Sequence, residues 1–125
     1  MSDSLKILVS DDSILARKQL KDVIVKHTPN VTFVEASNGQ EAIDLFREER
    51  PDMVFLDIVM PQKDGIEATK GIIEIDKSAD IIIVSSVGTK MQLKAAIEAG
   101  ARDFIQKPMN PAQVESVLES HLGGK

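Results

Sequence analysis

Met53-Val54-Phe55-Leu56 is an unbroken apolar run, and it ends on a carboxylate, Asp57. Four residues are too few for a helix. A run without polar alternation is how a strand reads when protein covers both of its faces. Moving outward, Leu5–Val9, Val31–Val34, Ile81–Val84 and Asp103–Ile105 are further short apolar runs. Several are nearly continuous in Ile, Val, Leu and Phe.

The stretches between these runs have a helical period. After Ser13, apolar residues fall at Ala16, Leu20, Val23 and Ile24, one face of a helix. Asn38 reads as an N-cap with Glu41 three residues on, and Ala42, Leu45 and Phe46 supply the buried face. Gly65–Ile75 reads as a third helix with Ile66, Thr69, Ile72 and Ile73 inward, weakened by Gly71. Leu93, Ala96, Ile97 and Gly100 form a fourth face, with Gly100 as the stop. Asn110 and Pro111 read as the N-cap and first residue of a last helix, with Val114, Val117, Leu118 and His121 on one side. Strand and helix thus alternate five times, without the two-residue connections of hairpins. That alternation predicts an α/β three-layer sandwich, a parallel sheet of five strands with helices on both faces.

The 125 residues suit one domain. Residues 1–122 are expected to form it, with Gly123–Lys125 as a tail. There is no cysteine, which removes disulfides, thiolate metal sites and thiol catalysis together. Twenty acids against fifteen bases leave a net charge of −5, which argues against nucleic acid as a partner. No apolar run approaches the roughly 20 residues of a membrane span, and Met1–Leu5 does not read as a signal peptide, so a cytoplasmic location is expected.

In open parallel sheets, ligands bind outside the carboxyl ends of the strands. The residues expected there are Ser10, Asp11 and Asp12, then Asp57, then Ser85 and Ser86, then Lys107 and Pro108. Alone, Asp11 or Asp12 would read as a helix cap, Ser85 would mean little, and Lys107 would be a solvated loop residue. Together they define a pocket. Two like charges about 4 Å apart repel by roughly 4 kcal/mol at an effective dielectric near 20. Raised pKa values, water, Lys107 or a cation must offset this. An all-oxygen cluster suits a hard cation such as Mg²⁺, which takes one or two carboxylates plus phosphate oxygens. Ser85 and Lys107 suit the remaining phosphate oxygens, and a carboxylate is the candidate acceptor. No P-loop and no dinucleotide-binding glycine motif is present. His27 and His121 fall on helices away from this edge and read as ordinary surface or boundary residues.

The chain resembles the receiver domains of two-component response regulators from Ile7 to Leu122. The resemblance rests on Asp11-Asp12, on Asp57-Ile58-Val59-Met60-Pro61 with Asp64-Gly65 behind it, on Ser85, on Ala99–Phe104 and on Lys107-Pro108. Without an attached output domain, it is most similar to chemotaxis-type single-domain regulators. The resemblance implies a flavodoxin-like sheet of order 2-1-3-4-5. It implies that Asp57 accepts a phosphoryl group from a histidine kinase or phosphotransfer domain. Asp12 and Asp57 would bind Mg²⁺ directly, the Val59 backbone carbonyl would be a third ligand, and Asp11 would act through water. Ser85 and Lys107 would hold phosphate oxygens, and Phe104 would turn inward as Ser85 moves. That would reshape the face of helix 4, strand 5 and helix 5, where a downstream protein docks, for instance a flagellar motor switch. It implies a cis Lys107–Pro108 peptide that aims the lysine into the pocket, and a monomer.

Several positions depart from the common pattern. Ser85 stands where Thr is frequent, Phe104 where Tyr is frequent, and Met109 where Phe is frequent. Ser10 replaces a frequent apolar residue, and no role for its hydroxyl is visible in the sequence. Val59 and Val87 fall at the two variable positions that tune hydrolysis in the family. Neither can orient an attacking water, so slow self-hydrolysis is expected. Two other functions compete. A Mg²⁺-dependent aspartyl-phosphate phosphatase or phosphotransferase of the haloacid-dehalogenase type would want D-x-D at the first strand, whereas Asp11 and Asp12 are adjacent. A phosphorylation-independent interaction module would not need every pocket residue intact.

Overall fold

The computed structural model describes residues 5–86 and 89–122. Strands and helices alternate in the order β1 (Leu5–Ser10), α1 (Ile14–His27), β2 (Val31–Ala36), α2 (Gly39–Glu49), β3 (Met53–Leu56), α3 (Gly65–Ile75), β4 (Ile81–Ser85), α4 (Lys90–Ala99), β5 (Asp103–Gln106) and α5 (Pro111–Leu122). The five strands form one sheet, all pairs parallel, in the order β2-β1-β3-β4-β5. The expected architecture and order both hold.

The strand sequences explain the layering. β3 and β4 are buried at every residue, whereas the edge strands β2 and β5 are only partly buried. Successive side chains point to opposite faces. Ile7, Val9, Met53, Phe55, Ile82 and Val84 therefore pack with Leu20 and Ile24 of α1 and Val114, Val117 and Leu118 of α5. Leu8, Val54, Leu56, Ile81 and Ile83 pack on the other face with α2, α3 and Ala96 of α4. Burying each of these large side chains contributes about 1.5–3 kcal/mol against leaving it in water.

The helix starts follow local side-chain chemistry. Ser13 accepts from the Ala16 N–H at 3.1 Å, Asn38 from Glu41 at 2.8 Å, and Asn110 from Ala112 at 2.9 Å. Glu41 does not reach back to Asn38, as a capping box would require; it binds the backbone and hydroxyl of Ser37 instead. The reciprocal box lies at α3, where Asp64 and Glu67 each accept the other's backbone N–H. Gly71 has a packing reason, since a Cβ there would stand 2.5 Å from Ile43 Cδ1 on α2. Gly100 ends α4 at φ 122°, as expected of a left-handed stop. One inward face is corrected: Ile97 is 55% exposed, and only Ala96 of α4 is fully buried.

Candidate functional site

The chain runs from β1 to the edge strand β2 and then returns to place β3 on the other side of β1. The crevice between β1 and β3 is thus where the strand order reverses. Ser10 and Ser85 are not loop residues, as expected from sequence, but the last residues of β1 and β4. The ladder continues for one bond beyond three strand ends. The Asp11 N–H donates to Ala36 O at 3.1 Å, the Asp57 N–H to Ser10 O at 2.9 Å, and the Lys107 N–H to Ser85 O at 2.9 Å. Asp11, Asp57 and Lys107 therefore each leave from a backbone position still held by the sheet.

The three acids converge. Carboxylate oxygens of Asp11, Asp12 and Asp57 lie within 4.8 Å of one another, with Asp11 and Asp57 buried and Asp12 exposed. Lys107 Nζ donates to Asp11 Oδ2 at 2.6 Å and to Asp57 Oδ2 at 3.2 Å. Asp11 Oδ1 also accepts from the Ser13 N–H at 2.9 Å. Ser85 is fully buried, and its side chain acts to lower the Asp57 pKa. The Lys107–Pro108 peptide is cis.

Burial pushes the Asp57 carboxyl above the usual carboxylate value, and the Asp11 charge adds to the rise. The Lys107 charge and its hydrogen bond, with that of Ser85, oppose the shift without cancelling it. Burial works to lower the Lys107 pKa, but the hydrogen bond to Asp11 and the charges of Asp57 and Asp11 outweigh it, so the ammonium is held more firmly than usual. The pocket thus answers its internal repulsion in two of the expected ways, by a lysine counter-charge and by a raised carboxyl pKa.

Would these residues fit a cation? The donor set is all oxygen, which suits a hard ion. Ligands on opposite sides of Mg²⁺, at about 2.1 Å each, stand about 4.2 Å apart, and the three carboxylates lie within 4.8 Å of one another, close enough to share one ion.

Other expected residues stand nearby. The Val59 side chain is 58% exposed at the rim, and its N–H reaches toward Asp57 Oδ1 at 3.4 Å. Phe104 is partly buried against the core on the α3–α4 side. Val87 lies outside the described residues. Gly65, first in α3, approaches the backbone of the loop that begins at Asp57: a Cβ there would stand 2.2 Å from the Asp57 carbonyl oxygen. Its N–H donates to Ile58 O at 2.8 Å.

The response regulator receiver domain family matches residues 7–119. The chain belongs to that family. This receiver domain is 43% identical over 113 residues to the chemotaxis protein CheY of Thermotoga maritima, covering 90% of this chain and 93% of that protein. It is 44% identical over 115 residues to CheY of Bacillus subtilis, covering 92% of each. Among solved structures it resembles a chain of the CheX–CheY–BeF₃–Mg²⁺ complex from Borrelia burgdorferi. There the TM-score is 0.86 and the identity 33%, covering 93% of this chain and 87% of that one. The receiver domain is a phosphoacceptor module of two-component signalling.

Two features of this receiver domain escaped the sequence reading. Ser10 Oγ donates to Met60 Sδ at 3.1 Å inside the fold. A polar residue closing a buried strand was the available signal. His121 is not a plain boundary residue: its ring nitrogens lie 2.7 Å from Asp80 Oδ1 and 3.3 Å from Asp103 Oδ2. These tie α5 to the entries of β4 and β5, at the end of the sheet opposite the acids. A concavity of about 1160 Å³ lies there too, and it contains none of the clustered acids. Among the described residues no helix is long and apolar enough to cross a membrane.

Proposed function

We propose that this receiver domain is phosphorylated on Asp57 in a Mg²⁺-dependent reaction and passes the signal on by protein docking. The observation that carries the reading is Lys107 joined to both Asp11 and Asp57, with Asp12 beside them, at the carboxyl ends of β1, β3 and β5. A merely structural lysine would need one partner. Here a cation and three acids form a site with positive and negative parts, suited to a metal and a phosphoryl group together.

Asp12 and Asp57 would hold Mg²⁺ directly, with the Val59 carbonyl as a third protein ligand and Asp11 acting through water. When bound, Mg²⁺ would supply positive charge that offsets the carboxylates and the incoming phosphate oxygens. An oxygen of Asp57 forms the new bond to phosphorus as the bond from phosphorus to the donor's histidine nitrogen breaks, and that nitrogen keeps the electron pair. Lys107 exchanges a carboxylate for a phosphate oxygen, which keeps its ammonium paired throughout. Ser85 directs its hydroxyl to another phosphate oxygen. The volume it leaves is taken by Phe104, and the face of α4, β5 and α5 changes shape.

The donor is a histidine kinase or phosphotransfer domain, and the output is a protein target. Likeness to chemotaxis regulators favours a chemotaxis pathway in the cytoplasm, with a flagellar motor switch as target. The protein acts as a phosphoacceptor that assists only its own phosphorylation and dephosphorylation. Val59, and Val87 by its place in the sequence, leave hydrolysis slow.

Intact-mass spectrometry after incubation with acetyl phosphate and Mg²⁺ tests the reading. One added phosphoryl group is expected, absent with EDTA and absent in Asp57→Asn. No added mass on the parent protein would support a phosphorylation-independent module. Multiple turnover on an organic phosphate would support a phosphatase.

A further inference from the structure

Ser10 touches the acceptor loop twice. Its carbonyl accepts the Asp57 N–H at 2.9 Å, and its hydroxyl donates to Met60 Sδ at 3.1 Å. Ser10 is 2% exposed and Met60 8% exposed, so neither bond competes much with water. One residue of β1 therefore holds both ends of Asp57–Met60. Between them, the Ile58 carbonyl is held by the Gly65 N–H at 2.8 Å. Val59 is the residue whose placement these anchors together determine.

A buried hydroxyl is costly unless bonded, and an apolar residue would fill the end of β1 without that demand. A thioether is a weak acceptor, so the bond adds little to the stability of the fold as a whole. Its geometry matters more. It fixes the residue after Val59, while the ladder bond fixes the residue two before it.

We propose that Ser10 is a positioning residue for Mg²⁺: by holding Met60 it sets where the Val59 carbonyl stands relative to Asp57. The role rests on the function proposed above, since it concerns the ion that function requires. Outer-shell partners of metal ligands commonly change affinity by about 10–100-fold, and a weak bond to sulfur belongs at the lower end.

The test is calorimetric titration of metal-free protein with Mg²⁺, beside thermal melts in EDTA. Ser10→Ala should weaken Mg²⁺ binding about tenfold and barely move the metal-free melt. Met60→Leu, which keeps the volume and removes the acceptor, should weaken it similarly. The double variant should be no worse than either single one, because both remove the same bond. Ser10→Thr restores the hydroxyl and should recover most of the affinity. With acetyl phosphate, the Mg²⁺ concentration for half-maximal labelling should rise in Ser10→Ala while the rate at saturating Mg²⁺ holds. A parent that binds Mg²⁺ and a Ser10→Ala variant that binds equally well overturns the positioning role alone. A parent that binds no Mg²⁺ overturns the proposed function and this role with it.

Discussion

On the proposed function Asp57 is under two opposed demands: it must be ionised to attack phosphorus, yet burial and Asp11 favour its protonated form. With a folded-state pKa above the ordinary 3.8, its contribution to stability is complete below that value and is lost as pH rises through the raised one. At neutral pH the metal-free fold therefore carries a penalty there. Asp57→Asn should remove it and stabilise metal-free protein by on the order of 1 kcal/mol at pH 7. Lys107 retains Asp11 as a partner in that variant. The advantage should shrink as pH falls toward the ordinary carboxylate range. Urea denaturation in EDTA at several pH values measures this, and a variant less stable than the parent at pH 7 would contradict the picture. Val59 supports a second expectation. Its exposed side chain at the rim has no polar atom to orient water against a phosphoaspartate. Phosphate release from the labelled protein should be slow, and a lifetime of seconds or less sinks the idea.

At the scale of elements, α3 is held against the loop that carries Asp57. Alanine inside a helix normally outperforms glycine, but a Cβ on Gly65 meets backbone atoms of Asp57 and Ile58, which have nowhere to go. Gly65→Ala should destabilise the fold by about 2 kcal/mol, measured by the urea midpoint, and should weaken Mg²⁺ binding as well. A stabilised variant would show that α3 can slide freely, contrary to the packing described. The element pattern was legible because central strands of a parallel sheet are continuous apolar runs. β3 matched to the residue for this reason. β1, β2, β4 and β5 each extend beyond their apolar runs, to Ser10, Ala36, Ser85 and Gln106, because the backbone ladder continues wherever its N–H and C=O groups still meet partners. Apolar period cannot register that. Ile97 was misplaced because α4 packs through a narrow contact, mainly Ala96, which leaves a second apolar residue outside. The bonds of Ser10 and His121 were hidden because their partners lie 50 and 41 residues away along the chain.

For the whole molecule, the candidate site lies at the carboxyl edge of the sheet, and that edge was readable from alternation alone. The order of the strands was not; it came with the family likeness. Because folding brings Asp57 to the adjacent pair Asp11-Asp12, which lies 45 residues away along the unfolded chain, Mg²⁺ should bind the native state in preference to the unfolded one. At a hundredfold excess over its dissociation constant it should add about 2.7 kcal/mol, or raise the melting temperature by about 10 °C. Differential scanning calorimetry against Mg²⁺ concentration reads this directly, and a flat response argues against a cation site. The ion pair between Lys107 and Asp11 joins positions 96 residues apart. During synthesis, Asp11, Asp12 and Asp57 all emerge before their cationic partner exists. On the proposed function, a nascent or truncated chain holds the acceptor without the ammonium that receives phosphate oxygens. Competence to take a signal then arrives only when β5 has docked, so a half-made regulator cannot drain phosphoryl groups from its donor.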